Sequence, residues 1–156
     1  IRDLVRSRGL GDVYKRQLKD DLENRVLAAQ RNLQQTVDLL MDVDRLLASH
    51  PLYRLEEWVE LARNSGTTLQ EKDAYEANAK RLITSWGGIQ EDYAARFWSG
   101  LIKDYYIPRI QLYFTKDRDK IREWEEQWIT SPWSNSTTPF DDPVKAALNL
   151  IEKTNK

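Results

Sequence analysis

The sequence has no cysteine and only one histidine in 156 residues. The absence of cysteine excludes disulfides, thiolate nucleophiles and thiolate-bound metal ions. The one histidine, His50, stands directly before Pro51, where the apolar pattern of a helix ends. We therefore interpret His50 as a capping or surface residue, and we predict neither a His-based catalytic triad nor a metal site with several histidine ligands. No cofactor is predicted.

The sequence also lacks a surplus of either charge and lacks a long hydrophobic segment. Lysine and arginine number 24 against 25 aspartate and glutamate, for a net charge of -1. Nonspecific binding to nucleic acid or to an anionic membrane requires a basic surplus, so we predict no nucleic acid and no membrane as partners. No apolar run reaches the roughly 18 residues that a membrane-spanning helix needs. A chain of this length fits a single domain with its own core.

The first 17 residues differ in character from the rest. The segment IRDLVRSRGLGDVYKRQ begins with Ile1 and shows neither the apolar region of a signal peptide nor a good helical stripe. Its part GLGDVYKRQ is similar to translated adapter tails found at the ends of environmental reading frames. We predict that residues 1–17 are a sequence artefact or a disordered leader, and that residues 18–156 form the domain.

From Leu18 onward the apolar pattern is helical, and no strand-like alternation of useful length is present. One stripe advances in steps of three or four residues, close to the helical period of roughly 3.6. We interpret it as the spine of a bundle, ending near Pro51. The stripe consists of Leu18, Leu22, Val26, Ala29, Leu33, Val37, Leu40, Val43 and Leu47.

Further helices are predicted from their start and stop signals. They cover about 55–63, a segment opening with the capping box Thr68–Glu71, a segment from about Asp92 towards Pro108, about 117–129, and a last helix capped by Asp142. Pro108 should kink or restart its helix because it lacks an amide hydrogen. The predicted fold class is all-α, an irregular bundle of about six helices with one long N-terminal helix.

Aromatic and charged residues concentrate in TSWGGIQEDYAARFWSGLIKDYYIPR, residues 84–109. Aromatic faces stack on the C–H face of sugars, while neighbouring charged groups bind hydroxyls, so this composition is typical of a sugar site. Ordinary core packing of Trp and Tyr is the competing interpretation. Possible acid/base pairs among Glu71, Glu76, Asp92 and Asp104 are interpreted as solvated helix faces, since carboxylates are abundant in this chain.

Three segments in order resemble the C-terminal helical region of α-N-acetylglucosaminidases, glycoside hydrolase family 89. They are LLASHPLYRLEEWVELARNSGTT, EKDAYEANAKRLITSWGG and DYAARFWSGLIKDYYIPRIQLYF. The family's Thr-x-Trp-Gly turn and its following DYA and W-S-G-L…DYY-x-P-R patterns match residues in this chain. These are Thr84, Trp86, Gly87, Asp92, Tyr93, Ala94, Trp98, Ser99, Gly100, Leu101, Asp104, Tyr105, Tyr106, Pro108 and Arg109. Ile110-Gln111 departs from the family pattern.

The resemblance implies a function divided between two domains. The family removes terminal α-linked N-acetylglucosamine with retention, using two glutamates on a (β/α)8 barrel that precedes the helical domain. Nothing in this chain resembles the barrel, so no catalytic residue is expected here. The helical domain would pack on the barrel of the same polypeptide and wall one side of the pocket for the terminal N-acetylglucosamine, in a periplasmic or secreted bacterial enzyme.

Four residues are predicted to line the substrate pocket: Trp86, Asp92, Tyr93 and Trp98. Each has an alternative, since Trp86 could be a partly buried helix-end residue and Asp92 a helix N-cap. Asp104 and Arg109 are interpreted as a surface pair, whereas Gly100 and Pro108 are interpreted as structural. Two other functions remain open: a freestanding helical protein-interaction module with an exposed aromatic face, and an independent carbohydrate-binding module.

Overall fold

The computed structural model describes residues 2–86, 96–115, 118–134 and 136–154, with the backbone alone for residues 2–15, 118 and 119. Within these residues the chain is helical and contains no strand beyond one isolated bridge between Arg54 and Ser99. This confirms the all-α prediction with a long first helix. The six α-helices are α1 Arg2–Leu47, α2 Leu55–Asn64, α3 Leu69–Leu82, α4 Ile107–Phe114, α5 Arg118–Thr130 and α6 Pro143–Thr154.

Contacts between Cα atoms divide the chain into two units, Ile1–Val37 and Asp38–Lys156. The first unit is the N-terminal part of α1. The first part of its apolar stripe is exposed, because Leu18, Leu22 and Val26 are 60%, 63% and 49% exposed, whereas Val37 at its end is buried. The interpretation of the whole stripe as a buried spine is therefore wrong for this part. Residues 2–17 belong to α1, and the division of the chain at residue 17 stays a prediction.

The second unit has a core built largely from aromatic rings. Its fully buried centre consists of Leu55, Val59, Ile83, Leu101 and Tyr105, contributed by α2, the residue directly after α3 and the segment before α4. Much of the aromatic excess noted in the sequence therefore serves core packing. The half-buried rings around this centre belong to Trp58, Trp98, Tyr106, Trp124, Trp128 and Trp133.

Local capping signals in the sequence have the predicted geometry. The Thr68 hydroxyl accepts a hydrogen bond from the Glu71 amide at 3.2 Å, and the Glu71 carboxylate accepts one from the Thr68 amide at 3.1 Å. Asp142 Oδ1 accepts from the Lys145 amide at 2.9 Å and caps α6. The capping prediction for His50 is also confirmed, because its Nδ1 accepts a hydrogen bond from the Leu52 amide at 3.3 Å.

Within the described residues, the helix predicted from about Asp92 is present only after Gly100. Residues 87–95 lie outside the described residues, residues 96–98 have no regular structure, and Gly100 has φ +86. A Cβ atom on Gly100 would lie 3.2 Å from Leu55 Cβ, which confirms the close approach inferred for this glycine. The helix starts only after this turn.

A π-helix, Ile102–Tyr106, precedes α4. The Ile107 amide donates to the Ile102 carbonyl, five residues back. This widened turn precedes Pro108, which cannot donate a backbone hydrogen bond and would crowd the preceding turn of an α-helix. Pro108 thus stands near the start of α4, where the chain passes from π-helical to α-helical geometry without a break; the predicted restart is not observed, and a kink stays a prediction.

Candidate functional site

Trp86 stands at the end of a tight turn that follows α3. Its backbone N–H donates to the Arg81 carbonyl at 2.7 Å, and its φ is +49, the one positive φ of a non-glycine residue in the described chain. Left-handed geometry costs an L-residue roughly 1–2 kcal/mol. The side chain is nevertheless 45% exposed. A large ring on a strained backbone and open to solvent is an arrangement that core packing does not explain.

The chain re-enters the described structure at Arg96, next to a pair of stacked rings. The Arg96 amide donates to the Tyr106 hydroxyl at 3.2 Å. Phe97 is 62% exposed and its ring stacks on that of Tyr106, with centroids 6.2 Å apart at 29°. Tyr106 therefore supports both the backbone and the first exposed ring of this segment.

Trp98 lies against the core rather than on the surface. Its ring centroid is 5.9 Å from that of Trp58, whose indole N–H donates to the Ala79 carbonyl at 2.9 Å. Of the predicted pocket residues, Trp86 is thus exposed and Trp98 is half-buried beside the core cluster. Asp92 and Tyr93 lie outside the described residues.

Asp44, a residue that the sequence analysis missed, joins three parts of the second unit. Its side chain lies in α1 and is 0% exposed. Its carboxylate accepts hydrogen bonds from the amides of Gly100 at 2.8 Å and Lys103 at 3.1 Å. It also accepts from the hydroxyls of Ser99 at 3.2 Å and Thr137 at 2.7 Å. This carboxylate therefore fixes the start of the helix that follows Trp98.

A signal for Asp44 was present in the sequence. Asp44 follows Leu40 by four residues and Val37 by seven, so it lies on the apolar face of α1. A carboxylate on the inward face of a helix has to be paired or hydrogen-bonded. The pattern could have identified Asp44 as buried, but not the groups that it binds.

A second buried charge network surrounds Lys80 of α3, whose side chain is 1% exposed. Its ammonium group is 3.0 Å from Glu76 and donates to the carbonyls of Trp128 and Ser131. Burial lowers the pKa of Lys80, and the hydrogen bond to Glu76 opposes that shift. Glu76 also pairs with Arg63 at 2.6 Å. The interpretation of Glu76 as part of a solvated helix face is wrong, because Glu76 is 2% exposed and links α2, α3 and the segment after α5.

A third network lies around Glu125 of α5. Glu125 Oε1 accepts from the Tyr105 hydroxyl at 2.7 Å and pairs with Arg109 Nε at 2.7 Å. The surface pair predicted between Asp104 and Arg109 is thus replaced by an Arg109–Glu125 pair, both largely buried. Burial raises the pKa of Asp104, while Lys103 opposes that shift.

These charged networks bind parts of the protein to one another rather than presenting a reactive centre. Among the described residues, no group of three His, Asp or Glu side chains could hold a metal ion. Asp44, Glu76 and Glu125 are each buried with protein partners, so they are poorly placed to act on a substrate. None of the helices described is long and apolar enough to cross a membrane. Trp86 and Phe97, which precede and follow residues 87–95 in the sequence, are the exposed aromatic residues left as candidates for binding.

Comparison with known proteins places this helical unit in a family. The sequence matches the family described as α-N-acetylglucosaminidase (NAGLU) C-terminal domain over residues 7–153. It is 35% identical to human α-N-acetylglucosaminidase over 88 residues, which are 55% of this chain and 12% of the human protein.

Two solved structures of a family 89 glycoside hydrolase from Clostridium perfringens share the fold. One is a complex with 2-acetamido-1,2-dideoxynojirmycin and the other a complex with PUGNAc. Each superimposes with a TM-score of 0.64 at 23% sequence identity, over 77% of this chain and 16% of the bacterial chain. The chain therefore spans less than one fifth of the length of these relatives. The family match covers nearly the entire sequence, and the chain belongs to the α-N-acetylglucosaminidase C-terminal domain family.

Proposed function

We propose that this chain is the non-catalytic C-terminal domain of a retaining α-N-acetylglucosaminidase. In this proposal the domain packs on the (β/α)8 barrel of the same polypeptide and forms one wall of the pocket for a terminal α-linked N-acetylglucosamine. Family membership and the short span relative to its relatives support a division of labour with a larger enzyme. A periplasmic or secreted location belongs to the same proposal and rests on the family likeness.

The observation that carries the pocket proposal is the backbone of Trp86. Its φ of +49 is disfavoured for tryptophan and natural for glycine, while its ring remains 45% exposed. Glycine would adopt this backbone geometry without strain. The strain is explained if the indole is held out to contact a sugar ring, whose apolar face stacks well on an aromatic surface.

The other predicted pocket residues have different parts in this proposal. Trp98 packs beside Trp58 and would support the wall rather than extend far into the pocket. Asp92 and Tyr93 would be supplied by the segment between Trp86 and Arg96, with Asp92 available to accept hydrogen bonds from sugar hydroxyls.

The substitution Trp86→Gly tests the proposal because it separates stability from function. We expect the free energy of unfolding of the isolated chain to fall by no more than about 2 kcal/mol, because relief of the left-handed strain, roughly 1–2 kcal/mol, offsets part of the loss of the half-buried ring. In the enzyme that carries this domain, we expect kcat/KM for a chromogenic α-N-acetylglucosaminide to fall roughly tenfold, the equivalent of about 1.4 kcal/mol of lost stacking. Trp86→Phe keeps an aromatic ring and is the matched control. An unchanged kcat/KM in Trp86→Gly would contradict a role in the pocket.

A sugar titration separates this proposal from an independent carbohydrate-binding module. N-acetylglucosamine is added to the 156-residue chain while tryptophan fluorescence and thermal stability are followed. We expect no saturable response, because the pocket would be incomplete without the barrel. A saturable response that disappears in Trp86→Ala would mean that the helical domain binds sugar alone. A freestanding interaction module would instead be indicated by a stable complex with a protein other than a glycosidase.

A further inference from the structure

The N-terminal part of α1 carries an apolar stripe that is exposed from Leu18 to Ala29 and partly buried at Leu33. Leu18, Leu22 and Val26 are 60%, 63% and 49% exposed, and Ala29 is exposed as well. At roughly 100° per residue, the positions 18, 22, 26, 29 and 33 fall within an arc of about 80° on the helix. The surface is therefore one continuous face, which we call the α1 stripe.

An exposed stripe of this kind is unfavourable in an isolated helix. Helices in proteins gain most of their stability by packing an apolar face against other elements. The residues around the stripe are strongly polar, including an exposed Lys19–Glu23 pair at 3.8 Å. Such polar flanks keep the rest of the helix in water while the stripe alone is suited to burial.

The family relationship indicates what covers this face. The chain belongs to a family described as a C-terminal domain, and it spans 12% of the human relative and 16% of the bacterial one. A stripe of one side chain per turn is far smaller than the roughly 800 Å² per partner of a stable interface between separate chains. It suffices for a partner in the same polypeptide, because covalent linkage gives that partner a high effective concentration.

We propose that the catalytic domain of the same polypeptide packs on the α1 stripe and buries Leu18, Leu22, Val26, Ala29 and Leu33. This inference rests on the proposed function, and it assigns a docking face separate from the surface around Trp86. In the enzyme that carries this domain, docking on the α1 stripe then adds a contact with the catalytic domain.

Hydrogen exchange of backbone amides tests the proposal. The 156-residue chain is compared with the longer polypeptide that includes the catalytic domain. We expect the amides of residues 18–33 to exchange at least roughly tenfold more slowly in the longer polypeptide, because local opening of α1 then requires undocking. Equal exchange in both would overturn the proposal. Slow exchange in the short chain that depends on its concentration would also overturn it and would identify a second copy as the occupant.

A pair of leucine substitutions supplies the matched control. Leu22 lies on the stripe and is 63% exposed, whereas Leu27 lies on the opposite face of the same helix and is 49% exposed. Leu22→Ser and Leu27→Ser change helix propensity equally. We expect Leu22→Ser to abolish the protection of residues 18–33 in the longer polypeptide and Leu27→Ser to leave it unchanged. Equal effects of the two variants would overturn the proposal.

Failure of this inference and failure of the pocket proposal give different results. If Leu22→Ser leaves the protection unchanged while Trp86→Gly still lowers kcat/KM, the pocket wall stands and the docking face is elsewhere. If Leu22→Ser abolishes the protection and Trp86→Gly leaves kcat/KM unchanged, the catalytic domain docks on α1 but the Trp86 turn lies outside the pocket.

Discussion

Asp44 shows how one residue can determine the position of a functional segment. Its buried carboxylate accepts hydrogen bonds from two backbone amides at the start of the helix after Trp98. It also accepts hydrogen bonds from two hydroxyls in different parts of the chain. A carboxylate is suited to this position because its two oxygens can accept several hydrogen bonds at once. The segment that leads away from the proposed pocket wall is thus fixed by a residue more than fifty positions earlier in the sequence.

Replacing Asp44 is predicted to be strongly destabilising. Asp44→Ala leaves the Gly100 and Lys103 amides buried without this acceptor, and each such loss costs about 1–3 kcal/mol. We expect the free energy of unfolding, measured by urea denaturation, to fall by about 3 kcal/mol or more. Asp44→Asn keeps the shape of the side chain and one accepting oxygen. Its free energy of unfolding should therefore lie between those of the native chain and Asp44→Ala.

Asp42→Ala is the control for this measurement. Asp42 lies in the same helix with a 31% exposed side chain that pairs with Lys153 at 3.6 Å. Exposed pairs contribute at most about 1 kcal/mol, so the loss should stay below that value. Equal losses for Asp42→Ala and Asp44→Ala would show that the buried hydrogen bonds of Asp44 are not what stabilises the segment.

At the scale of elements, α3 positions the turn that carries Trp86. Its first turn is closed by the capping box of Thr68 and Glu71, and its middle is tied to α2 and to the segment after α5 by Glu76 and Lys80. An element fixed at its start and middle can hold a strained residue at its end.

The capping box predicts a specific dependence of stability on pH. The hydroxyl of Thr67 and the amides of Thr67 and Thr68 hold the pKa of Glu71 below its ordinary value of 4.5. Because the folded-state pKa is lowered, the stabilisation is fully present above pH 4.5 and is lost as the pH falls through the folded-state pKa. Urea denaturation of the native chain and of Glu71→Gln should therefore show a difference in unfolding free energy that shrinks from pH 7 towards pH 3. A difference that is constant over this range would exclude the ionised carboxylate as its source.

At the scale of the whole molecule, the most deeply buried charged side chains are paired within the chain, while several large apolar side chains are exposed. The described acidic residues with the deepest burial all have partners within the chain, while Trp86, Phe97 and the α1 stripe are exposed. This distribution is typical of a domain that completes its surface against a neighbour. It fits a chain that belongs to a C-terminal domain family and spans only a small share of its relatives.

The isolated 156-residue chain is predicted to have no glycosidase activity. Retaining hydrolysis needs two carboxyl groups about 5 Å apart on either side of the sugar bond, and the carboxylates of Asp44, Glu76 and Glu125 are occupied by structural hydrogen bonds. Release of p-nitrophenol from an α-N-acetylglucosaminide should not exceed the rate without protein. Turnover that is lost on mutating a carboxylate of this chain would contradict the division of labour.

The sequence alone determined the features that depend on neighbouring residues. The helical period, the caps at Thr68 and Asp142 and the end of α1 before Pro51 follow from local backbone chemistry. The family resemblance was equally accessible, because an ordered chain of motifs survives in the sequence. Tertiary contacts do not have to be known for any of these.

Only the tertiary structure decided what the buried polar residues bind and which aromatic rings stay exposed. Asp44 and Glu76 became parts of buried networks, and Trp98 turned towards the core. Trp86 was placed outward on a left-handed backbone. These outcomes depend on groups that lie far apart in sequence and meet only when the helices pack, so no local pattern contains them. For the α1 stripe, the helical period predicted burial, but the fold of this chain leaves Leu18, Leu22 and Val26 exposed.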